Sequence, residues 1–332
     1  MNAIQVSKFG GPEVLQLTKA APVPKPGPGQ VLVQVKAAGV NPVDTYIRDG
    51  QRGGQLPYIP GKDGAGIVAE LGSNVTRAKP GDRVYFFLSS SGTYAEYCLV
   101  DEKCLAPLKE QLSFSQGAAI GVPYYTAYRA LVHKANVKPG DTVLIHGASG
   151  AVGLACCQIG RQLGCNIFGT AGTKEGMALA KANGAKMVFN HKDTDYMEKI
   201  TKASGEVGVS AVIEMLANLN LAKDCELLRP CGKVVIVGSR GSLDFNPRLT
   251  MGKELTIIGL MVLNASTVEL EETVAFLGAG QEAGWLTPVV DKEFALEKAA
   301  ESHREVISHA GGSQGKIVLC VEPAEGLNSV PL

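Results

Sequence analysis

The 332-residue sequence has little charge, and the charge that it has is balanced. Lys and Arg total 32, Asp and Glu total 32, and charged residues make up only 19% of the chain. With 45% hydrophobic residues, the composition is that of a folded protein rather than of a disordered chain. The zero net charge also argues against a partner held mainly by bulk electrostatics, such as nucleic acid or an anionic membrane surface.

Metal-ligand spacings are missing as well. None of the eight cysteines forms a CxxC pair, and none of the five histidines belongs to an HxxxH or HExxH pattern. Structural zinc sites use clustered ligands at such spacings, so we expect no metal. We interpret the cysteines as buried, reduced thiols, with a redox-sensing thiol as the alternative.

Long apolar runs are absent too. The longest, Leu255 to Leu263, is about half of the 18 residues that a membrane helix needs, and Gly259 interrupts it. The N-terminal residues show no basic segment followed by an apolar core, which a secretory signal requires. We therefore expect a cytoplasmic protein that does not span a membrane.

Glycine, by contrast, is abundant. The chain has 40 glycines, well above the usual share of about 7%, and they form neither a collagen-like repeat nor one low-complexity run. Such a distribution indicates many tight turns and close backbone approaches.

The first third of the chain has the pattern of short β-strands. Strand-like segments bounded by Gly, Pro, Ser or Asn occur at Val31–Ala37, Gly66–Leu71, Asp82–Phe87 and Tyr94–Val100. Because long helical periodicity is missing there, we predict a compact, antiparallel, barrel-like domain.

The middle of the chain alternates between strands and helices. Predicted strands are Thr142–His146, Asn166–Thr170, Met187–Phe189, Val209–Glu214, Gly232–Val237 and Leu255–Gly259, with helical stretches between most of them. This alternation predicts an α/β unit with a doubly wound parallel sheet. After two further helices, the last predicted strand is Gly315–Cys320, which we expect to join the barrel-like domain. The parallel unit is then an insertion within that domain.

The segment His146–Gly153, with the sequence HGASGAVG, follows a strand and opens a helix, the context that a dinucleotide fingerprint requires. It reads AxxGxxG rather than GxGxxG. Gly150 lets the backbone approach a pyrophosphate, Gly153 permits close packing of helix on strand, and the helix start attracts the phosphates. A purely structural turn is the alternative interpretation.

The end of the second strand predicts which nucleotide binds. NAD sites place Asp or Glu there to bind the ribose 2′-hydroxyl. This chain has Gly172, Thr173 and Lys174 instead, so a 2′-phosphate fits and is attracted by Lys174. We therefore predict NADPH as the cofactor. The alternative for Lys174 is an ordinary residue at a solvated helix start.

Several motifs resemble the zinc-free medium-chain dehydrogenases, and within them the NADPH:quinone reductases of the zeta-crystallin type. The resemblance covers essentially the whole chain and rests on the segments Gly10–Leu15, Ala38–Asp44, Pro60–Gly66, Gly81–Val84, Gly117–Leu131, Glu214–Asn218 and Val237–Gly241. It implies a GroES-like, partly open β-barrel catalytic domain (1–122 and 265–332). It also implies a Rossmann nucleotide-binding domain (123–264) with a doubly wound parallel sheet.

The resemblance also accounts for the missing metal. Zinc-dependent relatives have Cys where this chain has Asn41, and a His-Glu pair where it has Lys62 and Asp63. Asn and Lys cannot replace thiolate and imidazole as zinc ligands. Alcohol oxidation assisted by zinc is therefore not expected.

The resemblance implies the site residues of this chain. Those implied to contact NADPH, together with Lys174, are Tyr46, Thr126, Ser149, Gly150, Ala151, Val152, Gly172, His191, Asn220, Val237, Gly238, Ser239 and Arg240. Asn41, Asp44 and Tyr46 are predicted to bind the substrate, and Asn41 and Tyr46 to polarise its oxygen as catalytic residues. For Asn41, Tyr46, His191 and Arg240 the alternatives are a turn, a packed aromatic, a surface residue and a solvated arginine.

The predicted activity is reduction of ortho-quinones with NADPH, including one-electron transfer that yields a semiquinone. An enal or enone double-bond reductase is the alternative enzyme. A non-catalytic crystallin or AU-rich RNA-binding role is the alternative from another class, and RNA is then the partner. The resemblance further implies a homo-oligomer, a tetramer or a dimer.

Overall fold

In the computed structural model, the described residues are 1–205, 207–308 and 311–321. The strands are β1 (Ala3–Gln5), β2 (Gln16–Thr18), β3 (Gln30–Val40), β4 (Asp63–Leu71), β5 (Arg83–Phe87), β6 (Tyr97–Asp101), β7 (Leu105–Pro107), β8 (Thr142–Ile145), β9 (Asn166–Ala171), β10 (Met187–Asn190), β11 (Val209–Glu214), β12 (Leu228–Ile236), β13 (Thr256–Gly259), β14 (Val290–Ala295) and β15 (Lys316–Cys320). The α-helices are α1 (Pro42–Arg48), α2 (Phe114–Ala118), α3 (Gly121–Tyr128), α4 (Ala151–Gln162), α5 (Lys174–Ala182), α6 (Tyr196–Ser204), α7 (Ala217–Leu227), α8 (Arg248–Met251), α9 (Thr267–Glu282) and α10 (Ala299–Ser308).

The chain divides into two compact units. Unit 1 comprises the described residues of Met1–Val122, Val274–Ala310 and Lys316–Leu332, and unit 2 those of Pro123–Thr273 and Gly311–Gly315. Within the described residues, no helix combines the length and the apolar character that crossing a bilayer requires.

Unit 1 is built around the long strand β3. Its sheet runs in the order β14-β15-β3-β4-β5-β7, and β6 pairs with β3 as well. The two halves of β3 pair on one side with different strands: Gln30–Gln34 with β6, and Ala37–Val40 with β15. A strand that changes partner in this way curls the sheet, as expected of a partly open barrel. The predicted closing strand therefore does join this domain.

Unit 2 contains a six-stranded parallel sheet in the order β10-β9-β8-β11-β12-β13. This is the 3-2-1-4-5-6 order of the Rossmann fold, so the predicted doubly wound sheet is confirmed. Leu144, Phe168, Val212 and Val234, one from each of four strands, belong to its buried core cluster. The strand order reverses between β8 and β11, and in such sheets ligands bind at that point, beyond the carboxyl ends of the strands.

Some local predictions were wrong. The helix α1 and the strand β14 were not predicted, and the strand predicted at Tyr94–Val100 begins only at Tyr97. Tyr94 instead lies beside the N-terminal segment, where the Ile4 N–H donates to its carbonyl at 2.8 Å. The final helix begins at Ala299 rather than at Leu296, because a 3₁₀ turn precedes it.

Candidate functional site

The turn between β8 and α4 has the geometry of an anion site. Gly147 has φ +60°, a left-handed conformation that favours glycine. A Cβ on Gly153 would lie 2.7 Å from the Cα of Ala148, so the helix packs directly on the turn. The N-cap residue of α4 is Gly150, which has no side chain to cap the first helical N–H groups. Those N–H groups and the positive end of the helix dipole therefore offer a phosphate site.

Most of the predicted cofactor residues follow the carboxyl end of a strand in unit 2. Ser149, Gly150, Ala151 and Val152 follow β8, Gly172 and Lys174 follow β9, His191 follows β10, Asn220 lies on α7 after β11, and Val237, Gly238, Ser239 and Arg240 follow β12. Because parallel strands end at one edge of a sheet, the fold brings these residues to that edge. Thr126 is different, since it is buried within α3, and Tyr46 lies in unit 1.

Basic groups surround the predicted 2′-phosphate position after β9. A Cβ on Gly172 would lie 2.7 Å from Nε2 of His191 and 3.1 Å from Cε of Lys192, and Lys174 is exposed at the start of α5. Partial burial and the neighbouring His146 and Lys192 lower the pKa of His191. Lys192 was not predicted, although its place two residues after β10, next to His191, was a usable signal.

The loop after β12 is held by a residue that sequence reasoning missed. Oδ1 of Asn218 accepts from the backbone N–H of Arg240 at 2.9 Å and from Oγ of Ser239 at 3.3 Å. The backbone N–H of Val237 donates to the carbonyl of Glu214 at 2.8 Å. The end of β11 and the start of α7 thus position the predicted cofactor loop.

A second unpredicted element is the segment Gly311–Gly315, which belongs to unit 2. Gly315 forms a parallel bridge with Gly150, and a Cβ on Gly150 would lie 3.2 Å from Oγ of Ser313. A Cβ on Gly312 would lie 3.0 Å from Cγ2 of Thr173. The segment therefore lies against both the glycine turn and the start of α5, a long-range contact that no local pattern indicated.

In unit 1, Asn41 belongs to a buried polar cluster. Its Nδ2 donates to Oδ1 of Asp63 at 2.7 Å, and its Oδ1 accepts from Nζ of Lys316. Oδ2 of Asp63 also accepts from Nζ of Lys316 at 3.3 Å and from the backbone N–H of Val122 at 2.8 Å. Both ends of the Asn41 amide are therefore engaged within the protein.

Asp44 lies beside a small cleft of unit 1. Its Oδ2 accepts from the backbone N–H of Asn41 at 2.9 Å, which makes a capping box at the start of α1. Burial, and then the charge of Asp63, raise the pKa of Asp44 to about 7. An acid with this pKa is partly protonated at neutral pH.

The cleft is lined by Asp44, Ile47, Tyr58, Ile59, Pro60, Gly61 and Lys62. Burial raises the pKa of Tyr58 to about 12, and its hydroxyl oxygen is buried without a hydrogen-bond partner among the described residues. Of the predicted substrate residues, only Asp44 is in this described lining, and half-buried Tyr46 is not. Tyr58 and Ile59 were not predicted.

Two family profiles match the chain. The alcohol dehydrogenase GroES-like domain matches residues 27–110, and the zinc-binding dehydrogenase family matches residues 151–278. The quinone oxidoreductase of Homo sapiens is 51% identical over 321 residues, which is 96% of this chain and 97% of the human protein.

Solved structures are similar too. The quinone oxidoreductase of Escherichia coli complexed with NADPH has a TM-score of 0.87 at 29% identity, covering 96% of this chain and 100% of the bacterial one. A mycobacterial protein complexed with NADPH has a TM-score of 0.88 at 28% identity, with the same coverage.

The residues of unit 1 do not fit the zinc that the second profile's description implies. Where a catalytic zinc needs thiolate and imidazole ligands, this chain has the Asn41 amide and the Lys62 and Asp63 side chains. The Asp63 carboxylate is already paired with the ammonium of Lys316. The described residues of unit 1 therefore do not form such a zinc site.

Proposed function

The chain belongs to the zeta-crystallin type of quinone oxidoreductase within the medium-chain dehydrogenases, and from this premise we propose that it reduces ortho-quinones. It is an enzyme, a quinone oxidoreductase that uses NADPH: relatives of that name are about half identical over nearly its whole length, and a solved relative is complexed with NADPH. The observation that carries the placement of the dinucleotide is the uncapped glycine turn at the switch point of the parallel sheet.

We propose that NADPH binds along the carboxyl edge of this sheet. The start of α4 would hold the pyrophosphate through backbone N–H groups. Lys174, Lys192 and His191 would surround the 2′-phosphate, where an acidic residue would repel it. Ser239 and Arg240, held by Asn218, would contact the part of the nucleotide nearest β12. When bound, the cofactor supplies the reducing equivalents, and the protein orients it and excludes water.

We propose the unit 1 cleft as the place where the quinone oxygens are held. Tyr58 and Lys62 both line it, and the Tyr58 hydroxyl has no partner within the described chain. An ortho-quinone carries two adjacent carbonyl oxygens, so it can accept hydrogen bonds from two donors on one side. A para-quinone, whose oxygens point in opposite directions, cannot use both donors in this way.

Asp44 is the proposed proton source. It lines the same cleft, and with a pKa of about 7 it holds a proton in a substantial fraction of molecules at neutral pH. The reduced quinone gains negative charge on oxygen, so a carboxylic acid beside it stabilises the product.

We keep the predicted role of Tyr46 as a proposal and revise that of Asn41. Because the amide of Asn41 is engaged on both sides, we propose that Asn41 positions α1, and through it Asp44, rather than meeting the substrate. Tyr46 stays the proposed hydroxyl partner of substrate or nicotinamide. Thr126 stays a proposed cofactor contact.

A turnover panel tests the proposal. With NADPH as reductant, 9,10-phenanthrenequinone should be turned over at least about tenfold more efficiently than a para-quinone of similar size, and more efficiently than a 2-alkenal. Spin-resonance detection of a radical product tests the one-electron course. Faster turnover of the 2-alkenal would support the double-bond reductase instead.

The remaining proposals concern the oligomeric state, the subcellular location and RNA as a partner. We propose a cytoplasmic homo-oligomer, a tetramer or a dimer, which light scattering measures directly. AU-rich RNA as a partner is tested by gel shift against a scrambled RNA, with NADPH as competitor. The zero net charge of the sequence favours a weak, salt-sensitive interaction at most.

A further inference from the structure

A buried polar network lies directly behind the glycine turn. His146 directly follows β8, Glu214 is the last residue of β11, and Asp224 lies on α7. The two carboxyls are fully buried, and His146 is 5% exposed. Nothing in the proposed reaction uses these three side chains, yet burying charge in this way is costly unless every group is satisfied.

The network reaches the turn through Thr170. Oγ1 of Thr170 accepts from the backbone N–H of Gly147 at 3.2 Å and lies 3.2 Å from Nδ1 of His146. Because Nε2 of His146 faces a carboxylate oxygen, which only accepts, the neutral imidazole carries its proton on Nε2, and Nδ1 accepts from the Thr170 hydroxyl. Nε2 then donates to Oδ1 of Asp224 at 2.9 Å.

Glu214 connects the network to the other side of the proposed nucleotide site. Its Oε1 accepts from the backbone N–H of Leu216 and from Nδ2 of Asn220 at 3.3 Å. Asn220 is one of the predicted cofactor residues, and Leu216 precedes α7. Glu214 thus holds the start of α7 as Thr170 holds the glycine turn.

Two oxygens remain to be explained. Oε2 of Glu214 and Oδ2 of Asp224 are buried without a hydrogen-bond partner among the described residues. Oε2 of Glu214 is 3.6 Å from Nε2 of His146, and one ligand atom from each of the three residues lies within 4.8 Å of the others. Two ionised carboxylates offer only acceptors and repel each other, whereas one proton between them satisfies both oxygens.

We propose that Glu214 is held as the carboxylic acid and donates a hydrogen bond to Asp224, and that this pair positions the glycine turn and Asn220 for the dinucleotide. The relay runs from Glu214 through Asp224, His146 and Thr170 to the backbone of Gly147. Glu214, Asp224 and Thr170 are positioning residues, since they act through the turn and through Asn220. The inference rests on the proposed placement of NADPH at that turn.

The surroundings agree with this protonation. Burial raises the pKa of Glu214 and of Asp224, and burial lowers that of His146, so a neutral imidazole and one shared proton are favoured. The other titratable groups that influence the network are Lys223 on α7, Tyr196 on α6 and His191 after β10. Lys223 lowers the pKa of both Asp224 and His146, which keeps the remaining negative charge on Asp224.

A metal ion is the rival explanation for a His-Glu-Asp cluster. A direct hydrogen bond from Nε2 of His146 to Oδ1 of Asp224 accounts for their 2.9 Å contact without a cation. Native mass spectrometry distinguishes the cases. Stoichiometric zinc that is lost in Glu214→Gln would overturn the proposal, and a metal-free chain supports it.

The first test detects the proposed proton on Glu214 by infrared spectroscopy and needs no cofactor. Glutamine at 214 keeps an oxygen for Leu216 and Asn220 and puts an N–H₂ donor toward Asp224, so it imitates the protonated acid. The infrared difference between wild type and Glu214→Gln at neutral pH should show the carbonyl band of a protonated carboxylic acid. If that band is missing from the difference spectrum, the proposal is wrong.

The second test measures how well the network positions the nucleotide site, through the affinity for NADPH. The Kd for NADPH should stay within about threefold of wild type in Glu214→Gln and in Thr170→Ser, which keep their hydrogen bonds. It should rise at least about tenfold in Glu214→Leu and Thr170→Val, since a buried group then loses its partner. The kcat at saturating NADPH should change less than the Kd. Equal losses in the Gln and Leu variants would refute the shared proton.

The outcomes separate this inference from the proposed function. If Glu214→Leu does not fold, the infrared band and the comparison of Thr170→Ser with Thr170→Val still test the inference. If NADPH affinity were insensitive to Gly153→Val, the nucleotide placement would be wrong, while the infrared result would still report on the shared proton.

Discussion

Replacing Lys316 by methionine should destabilise the protein by about 3–5 kcal/mol, the cost of breaking a buried ion pair from one side. The side chains of Lys316 and Asp63 are 2% and 0% exposed, and their charged atoms are 3.3 Å apart. In Lys316→Met, Asp63 keeps its hydrogen bonds from Asn41 and Val122 but loses the positive charge that compensates it. The variant therefore buries an unpaired carboxylate.

The double variant Lys316→Met/Asp63→Asn shows whether charge is the cause. Asparagine at 63 removes the unpaired charge and keeps an oxygen for Asn41 or Val122. We expect it to recover about 2 kcal/mol of the loss, so that the two substitutions are far from additive. The remaining loss reflects the hydrogen bonds that the amide cannot make.

The assay is urea unfolding followed by circular dichroism, on wild type, both single variants and the double variant, after a check that refolding is complete. The matched control is Lys103→Met, which breaks an exposed pair with Asp101 at 3.7 Å and should change stability by less than about 0.5 kcal/mol. If the two substitutions at 316 and 63 were simply additive, the buried pair would not be the reason for the loss.

Three further predictions concern the nucleotide and the cleft. Lys174→Glu should lower the ratio of kcat/KM for NADPH to that for NADH at least about tenfold, because the new carboxylate repels the 2′-phosphate. Lys181→Glu, on the same helix, is the control and should leave the ratio unchanged. An unchanged ratio in Lys174→Glu would show that Lys174 is not part of the site. Gly153→Val should abolish measurable NADPH binding by calorimetry, because its side chain would collide with Ala148, whereas Gly278→Ala, in open space on α9, should leave binding intact and stabilise the helix by about 0.5–1 kcal/mol. The kcat/KM for the quinone should fall as the pH rises through about 7, where Asp44 loses its proton. In Asp44→Asn this fall in kcat/KM should be absent. If the fall persists in the variant, another group is responsible for the pH dependence.

The parallel sheet could be predicted because its signal is local and repeated. Short apolar strands alternate with helices, and each strand of unit 2 falls within a few residues of its predicted position. The edge that carries the site follows from the parallel arrangement alone. The glycine turn was readable for the same reason, since strand, turn and helix are consecutive.

The missed elements have weak or long-range signals. The helix α1 has seven residues, only about two turns, so its apolar spacing scarcely repeats, and Asn-Pro at its start has the pattern of a turn. The strand β14 carries adjacent charged residues at the edge of the sheet and has no fully buried residue, so it lacks the apolar alternation of a strand.

The missed site residues depend on contacts between distant parts of the chain. Lys316 reaches Asn41 across 275 positions, and His146 reaches Asp224 across 78. Spacing rules for metal or catalytic motifs do not cover such separations. His146 and Glu214 are nevertheless polar residues at the ends of apolar strand segments, and this pattern was the sequence signal for the buried network.

The central claim is that one dinucleotide with a 2′-phosphate binds at the carboxyl edge of the parallel sheet. Isothermal titration calorimetry of NADPH and of NADH into the purified protein tests it most directly. We predict one site per chain, with NADPH at least about tenfold tighter than NADH, a difference of about 1.4 kcal/mol. Equal affinity for the two nucleotides, or tighter binding of NADH, would contradict the account.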